Sequence, residues 1–185
     1  MPPIETYHHF GLFAFLALIA GLAFIVWRWP EGKHLTFSQH VAVSKRRILY
    51  YVGLFSIVLP LLLLFFIGWF VPRFHLPVWF SVFIVISSVT QYACTLVPEV
   101  GGWRTKYHRV LAGVSAASLL PPLIMVLLNS SISQVARLAT DISLLAMLGI
   151  VYFVTVGKGR HDYFLYLQMG YFAAFFVAVL LATYL

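Results

Sequence analysis

Three polar side chains lie at four-residue spacing inside an apolar stretch: Ser87, Gln91 and Thr95. Residues four apart share one face of an α-helix, so the spacing predicts a polar stripe. Because polar groups facing lipid are costly, we expect this stripe to point into a helix bundle. Gln168 lies at a similar depth in a later stretch, which predicts a contact with Gln91. Gln91, Thr95 and Gln168 are therefore candidate ligand-binding residues, the alternative being hydrogen bonds that only join helices.

A carboxylate and several imidazoles lie at the ends of the apolar stretches. The candidate catalytic residues are Glu99, His108 and His161, and the candidate metal ligands are His40, His108, His161 and Asp162. Imidazole and carboxylate are ligands that zinc and iron accept in proteins. These residues come from separate loops, however, without a ligand spacing such as HExxH, and the histidines lack the facing positions within helices that a haem requires. The sequence therefore predicts no metal or other cofactor.

Asp141 is the one acidic residue within an apolar stretch, and Arg137 precedes it by one helical turn. At this spacing the two side chains can form an ion pair on one helix face. An ionisable residue inside a membrane is nevertheless a functional candidate by default. Asp141 is therefore included among the candidate ligand-binding residues, with local pairing to Arg137 as the alternative.

The composition decides which elements position these side chains. Of the 185 residues, 62% are hydrophobic and only 9% are charged, against about 25% charged in an ordinary soluble domain. Hydrocarbon about 30 Å thick needs roughly 17–25 apolar residues per helix, and unpaired backbone groups exclude irregular structure there. Six stretches qualify, at residues 10–27, 48–71, 78–97, 110–128, 135–156 and 163–185. The predicted fold is one all-α membrane domain, a bundle of six transmembrane helices.

The loop charges predict the orientation. Ten of the twelve basic residues lie in alternate loops: Arg28, Lys33, Lys45, Arg46, Arg47, Arg104, Lys106, Arg109, Lys158 and Arg160. Only Arg73 and Arg137 lie on the other side. Basic loops stay in the cytoplasm, so we expect both termini outside, in the plasma (inner) membrane of a prokaryote. The net charge of +7 comes from basic residues that lie between apolar stretches rather than on one accessible face. Nucleic acid is therefore excluded as a partner.

Several local features bear on how the helices pack. Ala112, Gly113 and Ala116 predict a small-residue face on span four, which permits close helix contact. Pro60 and the pair Pro121-Pro122 predict distortions in spans two and four. The second half of the loop at residues 28–47 predicts a short basic helix lying on the membrane surface.

A short motif carries a resemblance to known families. Span three ends in Pro98-Glu99-Val100-Gly101, and His108 follows about ten residues after the proline. In this motif and in its layout the chain resembles small six-span prokaryotic membrane proteins known only as a domain of unknown function (DUF998-like), and more distantly the Frag1/DRAM-like six-span proteins. The resemblance implies that Glu99 and His108 act together. It implies no particular activity.

The function predicted from these features is non-enzymatic: binding or transport of a small or lipidic ligand through a cavity between spans three, four and six. Glu99 and His108 would form its inner gate. One alternative is a membrane-embedded metalloenzyme that uses Glu99, His108 and His161. Another is a structural subunit of a membrane complex. Membrane lipids are the expected partners in every case. The sequence also allows a protein partner, either a second copy of the chain or another membrane subunit.

Overall fold

The computed structural model describes residues 3–32, 34–157 and 163–185. Within these residues it contains no strand, and six helices are long and apolar enough to cross a membrane. In chain order, these spans one to six are Glu5–Arg28, Lys45–Arg73, Val78–Leu96, Gly102–Leu127, Gln134–Val156 and Phe164–Tyr184. The predicted all-α, six-helix fold is confirmed.

The described part of the chain contains nine α-helices. They are α1 (Phe10–Arg28), α2 (Phe37–Val41), α3 (Lys45–Phe65), α4 (Val71–Arg73), α5 (Val78–Leu96), α6 (Gly102–Ala117), α7 (Leu120–Leu127), α8 (Gln134–Val156) and α9 (Phe164–Tyr184). Eight of them belong to the spans, and α2 lies in the connection between spans one and two. A 3-10 turn at Glu5–Tyr7 precedes α1, and a π-helical turn at Phe66–Phe70 joins α3 to α4. Span four begins earlier than predicted, at Gly102 rather than residue 110, because its first turns are polar and extend beyond the apolar stretch.

Many large apolar side chains remain exposed around the spans. Ile57, Val89 and Leu145 each expose 60% or more of their surface. Contiguous apolar surface of this kind is rare on proteins that water surrounds. Together with the length of the helices, it identifies the chain as an integral membrane protein.

Spans five and six pack together, as do spans one and two, two and three, and three and four. The loops and termini lie at the two ends of the bundle, which are called the terminal face and the basic face. The terminal face consists of residues 3–9, 73–77, 128–137 and 184–185, and the basic face of residues 28–32, 34–47 and 97–109. Contacts within the terminal face include Asn129 Nδ2, which donates to Phe74 O at 2.7 Å, and Tyr184 Oη, which lies 3.5 Å from His9 Nδ1.

An aromatic cluster fills the bundle around the π-helical turn. Phe65, Phe66, Phe70, Phe80 and Phe175 are almost completely buried. The centroid of the Phe66 ring lies 5.8 Å from that of Phe80 and 6.1 Å from that of Phe175. These distances are typical of favourable aromatic pairs. The cluster thus joins spans two, three and six.

The proline-rich helices depart from regular geometry near, but not at, their prolines. α3 continues past Pro60, and the π-helical turn begins six residues later at Phe66. Span four is interrupted at Ser118, and α7 then starts with Pro121 and Pro122 near its N-terminus. A proline there removes an N–H that has no helical partner anyway, so this position costs little.

Spans one and two approach closely where Gly11 lies against Phe65. A Cβ atom added to Gly11 would lie 2.9 Å from Phe65 Cδ2, whereas one added to Gly53 meets nothing within 4 Å. Because the Phe65 ring is held by its neighbours, we expect Gly11→Ala to lower the free energy of unfolding by about 1–3 kcal/mol relative to Gly53→Ala. Thermal unfolding of the two variants in the same detergent measures the difference, and equal midpoints would contradict the packing described.

Candidate functional site

The predicted stripe on span three points into the bundle. Ser87, Gln91 and Thr95 are all buried. The Ser87 hydroxyl donates to Ser115 O at 3.0 Å, and Ser115 Oγ lies 3.4 Å from Gln91 Oε1. Thr95 instead donates to Tyr92 O of its own helix at 2.7 Å. Part of the stripe therefore joins span three to span four, as the structural alternative predicted.

Ser87 and Gln91 of the stripe also border a cavity of about 50 Å³ inside the bundle. Its polar lining consists of Ser87, Ser88, Gln91 and Ser115. Its apolar lining comes from spans one to four and span six: Leu18, Phe55, Val58, Leu59, Leu62, Phe66, Ile84, Leu119, Phe172, Phe175 and Phe176. At about 10–15 Å³ of such space per molecule, the cavity could hold a few waters and is smaller than the roughly 150 Å³ that accommodates benzene.

Two hydrogen-bonding groups at this cavity lack partners. Among the described residues, neither Gln91 Nε2 nor Ser88 Oγ forms a hydrogen bond, although both side chains are buried. The cavity thus presents free hydrogen-bonding groups within apolar walls.

Both irregular points of the bundle also lie at the cavity. Phe66 begins the π-helical turn, and Leu119 lies at the interruption of span four. At that interruption Ala116 O accepts from the Tyr171 hydroxyl at 2.6 Å and from Leu119 N at 3.0 Å. π-helical turns and broken helices are frequent at functional sites in membrane proteins. These are the places where the helices around the cavity can adjust most readily.

Gln168 does not line this cavity, and the predicted contact between Gln91 and Gln168 is wrong. Gln168 Oε1 accepts from Phe37 N at 3.3 Å, at the start of α2. The sequence could not indicate this partner, because it comes from a loop segment that folds back into the bundle. Thr95 is likewise absent from the cavity lining.

The predicted basic helix on the membrane surface is also wrong. The helix that forms is α2, and Phe37, Ser38, His40 and Val41 within it are buried. Thr36 starts α2 with a capping box, in which its hydroxyl accepts from Gln39 N and its own N–H donates to Gln39 Oε1. The pattern Thr-x-x-Gln is the sequence signal that could have located this helix. The basic residues that follow belong to the first turn of span two.

Glu99 is the centre of the hydrogen bonds on the basic face. Its side chain is only 4% exposed and accepts from Arg109 Nε at 2.9 Å and from the Thr36 hydroxyl at 3.2 Å. Its backbone N–H donates to Ser38 Oγ at 3.1 Å. A buried carboxylate is costly unless it is paired and hydrogen-bonded, and here it has both kinds of partner. Glu99 therefore holds α2 to the end of span three and the start of span four.

His108 lies beside this group but bonds elsewhere. Its Nδ1 is 2.8 Å from Val97 O and 3.2 Å from Cys94 O, both carbonyls at the end of span three. Since carbonyls only accept, Nδ1 carries the proton and satisfies carbonyls that a helix end leaves free. No hydrogen bond or ion pair joins His108 to Glu99.

Arg137 and Asp141 do not form the predicted ion pair: the structure places no atoms of the two charged groups within 4.0 Å. Asp141 does not line the cavity beside Gln91, whereas Arg137 lines a separate cleft at the terminal face. Local spacing allowed the pair, but the packing around span five directs the guanidinium elsewhere.

The described residues contain no group of three or more His, Cys, Asp or Glu side chains placed to hold a metal ion. His161 and Asp162 lie outside the described residues. His40 is fully buried, and its Nδ1 lies 2.9 Å from Thr36 O, while its Nε2 has no hydrogen-bond partner in the described part of the chain.

Comparison with known proteins adds no family. No family model, no curated protein and no solved structure matches this chain. The resemblance to DUF998-like and Frag1/DRAM-like proteins therefore stays a prediction, and function has to be argued from the structure alone.

The contacts of α2 lead to a prediction for Thr36→Val, which removes both the helix cap and the bond to Glu99. We expect faster amide hydrogen exchange across residues 36–41, by about fivefold or more, because a lost cap costs about 1 kcal/mol. Gln168→Leu should raise exchange in the same segment. Thr90→Val is the control, since the Thr90 hydroxyl bonds only carbonyls of its own helix. Unchanged exchange in the first two variants would refute the docking of α2.

Proposed function

We propose that this integral membrane protein binds a small, mainly apolar molecule that carries a hydrogen-bonding group, in the cavity beside Gln91. The observation that carries the proposal is the pair of unpartnered groups, Gln91 Nε2 and Ser88 Oγ, at a cavity whose walls are mostly apolar. Small-molecule sites commonly have this composition, with apolar walls and a few polar groups that orient the ligand.

Binding requires the cavity to enlarge, since about 50 Å³ is less than a small organic molecule needs. The π-helical turn at Phe66–Phe70 and the interruption at Ser118 lie beside it and supply the adjustable segments. At the basic face, α2 closes the end of the bundle through hydrogen bonds to Glu99 and Gln168. Undocking of α2 would open a path to the cavity, so Glu99 acts in this proposal as part of the inner gate.

The proposal is tested by native mass spectrometry of the full chain, extracted gently from its own membrane. We expect the wild type to retain a bound organic mass and Gln91→Leu to lose it, because leucine is similar in size but lacks the amide oxygen and nitrogen. Thr90→Val, one residue away and outside the cavity lining, should retain the mass.

A wild-type chain that carries no organic mass, or a mass that Gln91→Leu retains in full, would exclude ligand binding at this cavity. Isolation only as a complex with another membrane subunit, without a bound mass, would favour the structural alternative instead.

We further propose that the basic face lies in the cytoplasm and both termini outside, on the strength of the loop charges. In a Cys94→Ala background, Val43→Cys and Ser131→Cys place single exposed thiols on the basic and terminal faces. A membrane-impermeant maleimide added to whole cells should label Ser131→Cys and leave Val43→Cys unlabelled until the cells are opened. The reverse pattern would invert the orientation.

A further inference from the structure

A second, larger cavity lies on the terminal face. It is a cleft of about 590 Å³, open to one side, between the end of span two, the loop before span five and the end of span six. The side chains that define it chemically are Arg73, Ser131, Ser133 and Arg137. Arg73 and Arg137 are the two basic residues that the loop-charge pattern places apart from the other ten. Both arginines of this side thus lie at one cleft.

Neither guanidinium has a partner in the described part of the chain. No carboxylate lies within 4.0 Å of Arg73 or Arg137, and neither side chain forms a hydrogen bond there. Arg137 Nε is shielded from solvent and still unpartnered. Because an unpaired charged donor that is shielded from water is costly, the arrangement favours an acceptor that enters the cleft.

The start of α8 adds backbone donors to the same cleft. Ser133 caps this helix, its hydroxyl accepting from Ala136 N at 3.2 Å, while Arg137 N donates to Ser133 O at 3.0 Å. The N–H groups of Gln134 and Val135 have no acceptor among the described residues. A helix start attracts anions through such N–H groups and through its dipole.

The cleft is also held in shape. Asn129 Nδ2 donates to Phe74 O at 2.7 Å, and Asn129 Oδ1 accepts from Ser131 N at 2.8 Å. One side chain thus ties the loop before span five to the residue that follows Arg73. The segment that carries Arg73 is therefore bonded to the loop that leads into α8, the helix of Arg137.

We propose that this cleft binds a phosphate group. Two guanidinium groups offer donors in the geometry that phosphate oxygens accept, and the start of α8 supplies further donors. Leu185 also lines the cleft, and it forms no ion pair with Arg73 or Arg137. The phosphate belongs either to a lipid headgroup or to a water-soluble phosphate compound, since both present the same oxygens. This site is independent of the cavity beside Gln91.

The experiment uses the full chain in a maltoside detergent, which contains no phosphate. One arm measures thermal unfolding with inorganic phosphate at constant ionic strength. The other measures retention of phosphatidic acid by native mass spectrometry, with diacylglycerol as the matched lipid without phosphate. Arg73→Gln removes an exposed guanidinium group, so this variant tests the cleft without disturbing the core. Arg28→Gln removes the same charge from an exposed position outside the cleft.

We expect phosphate, phosphatidic acid or both to bind, with affinity reduced roughly tenfold or more by Arg73→Gln and unchanged by Arg28→Gln. Binding of phosphatidic acid alone assigns the site to a lipid headgroup, and binding of inorganic phosphate alone assigns it to a soluble compound. The proposal is overturned if neither binds, if diacylglycerol is retained equally, or if Arg28→Gln weakens binding as much as Arg73→Gln does.

Discussion

A single buried carboxylate, that of Glu99, organises the basic face of this protein. Its oxygens accept from Thr36 in the first loop and from Arg109 in span four, and it lies at the end of span three. A buried carboxylate that loses its hydrogen-bonding partners is destabilising, because its charge is then left without compensation. The position of α2, and with it the closure of the bundle at that face, depends on this interaction.

The aromatic cluster and the cavity beside Gln91 meet inside the bundle. The buried rings around Phe66 pack densely between three spans, whereas the cavity beside Gln91 has unpartnered polar groups and two irregular helix segments. Dense packing resists displacement, while interrupted hydrogen bonding permits small shifts at low cost. Phe66 and Phe175 belong to the aromatic cluster and also line the cavity, so a ligand that enlarges the cavity has to shift these two rings.

The two proposed sites make opposite demands on their surroundings. The cavity has mostly apolar walls and offers neutral donors, which suits an apolar molecule with one polar group. The cleft at Arg73 and Arg137 is open and charged, which suits an anion. They lie at different depths of the bundle and share no lining residue, so each can be tested without altering the other.

The sequence by itself determined the six helices, their approximate ends and the inward direction of the stripe at Ser87 and Gln91, because apolar length and helical spacing are local properties. Only the tertiary structure decided which side chains meet. Gln168 bonds α2 rather than Gln91, and Arg137 faces a cleft rather than Asp141. These outcomes depend on how a loop folds back and how spans rotate against one another. Such rotations are set by packing over the whole bundle, and most apolar residues in these spans satisfy several of them equally well.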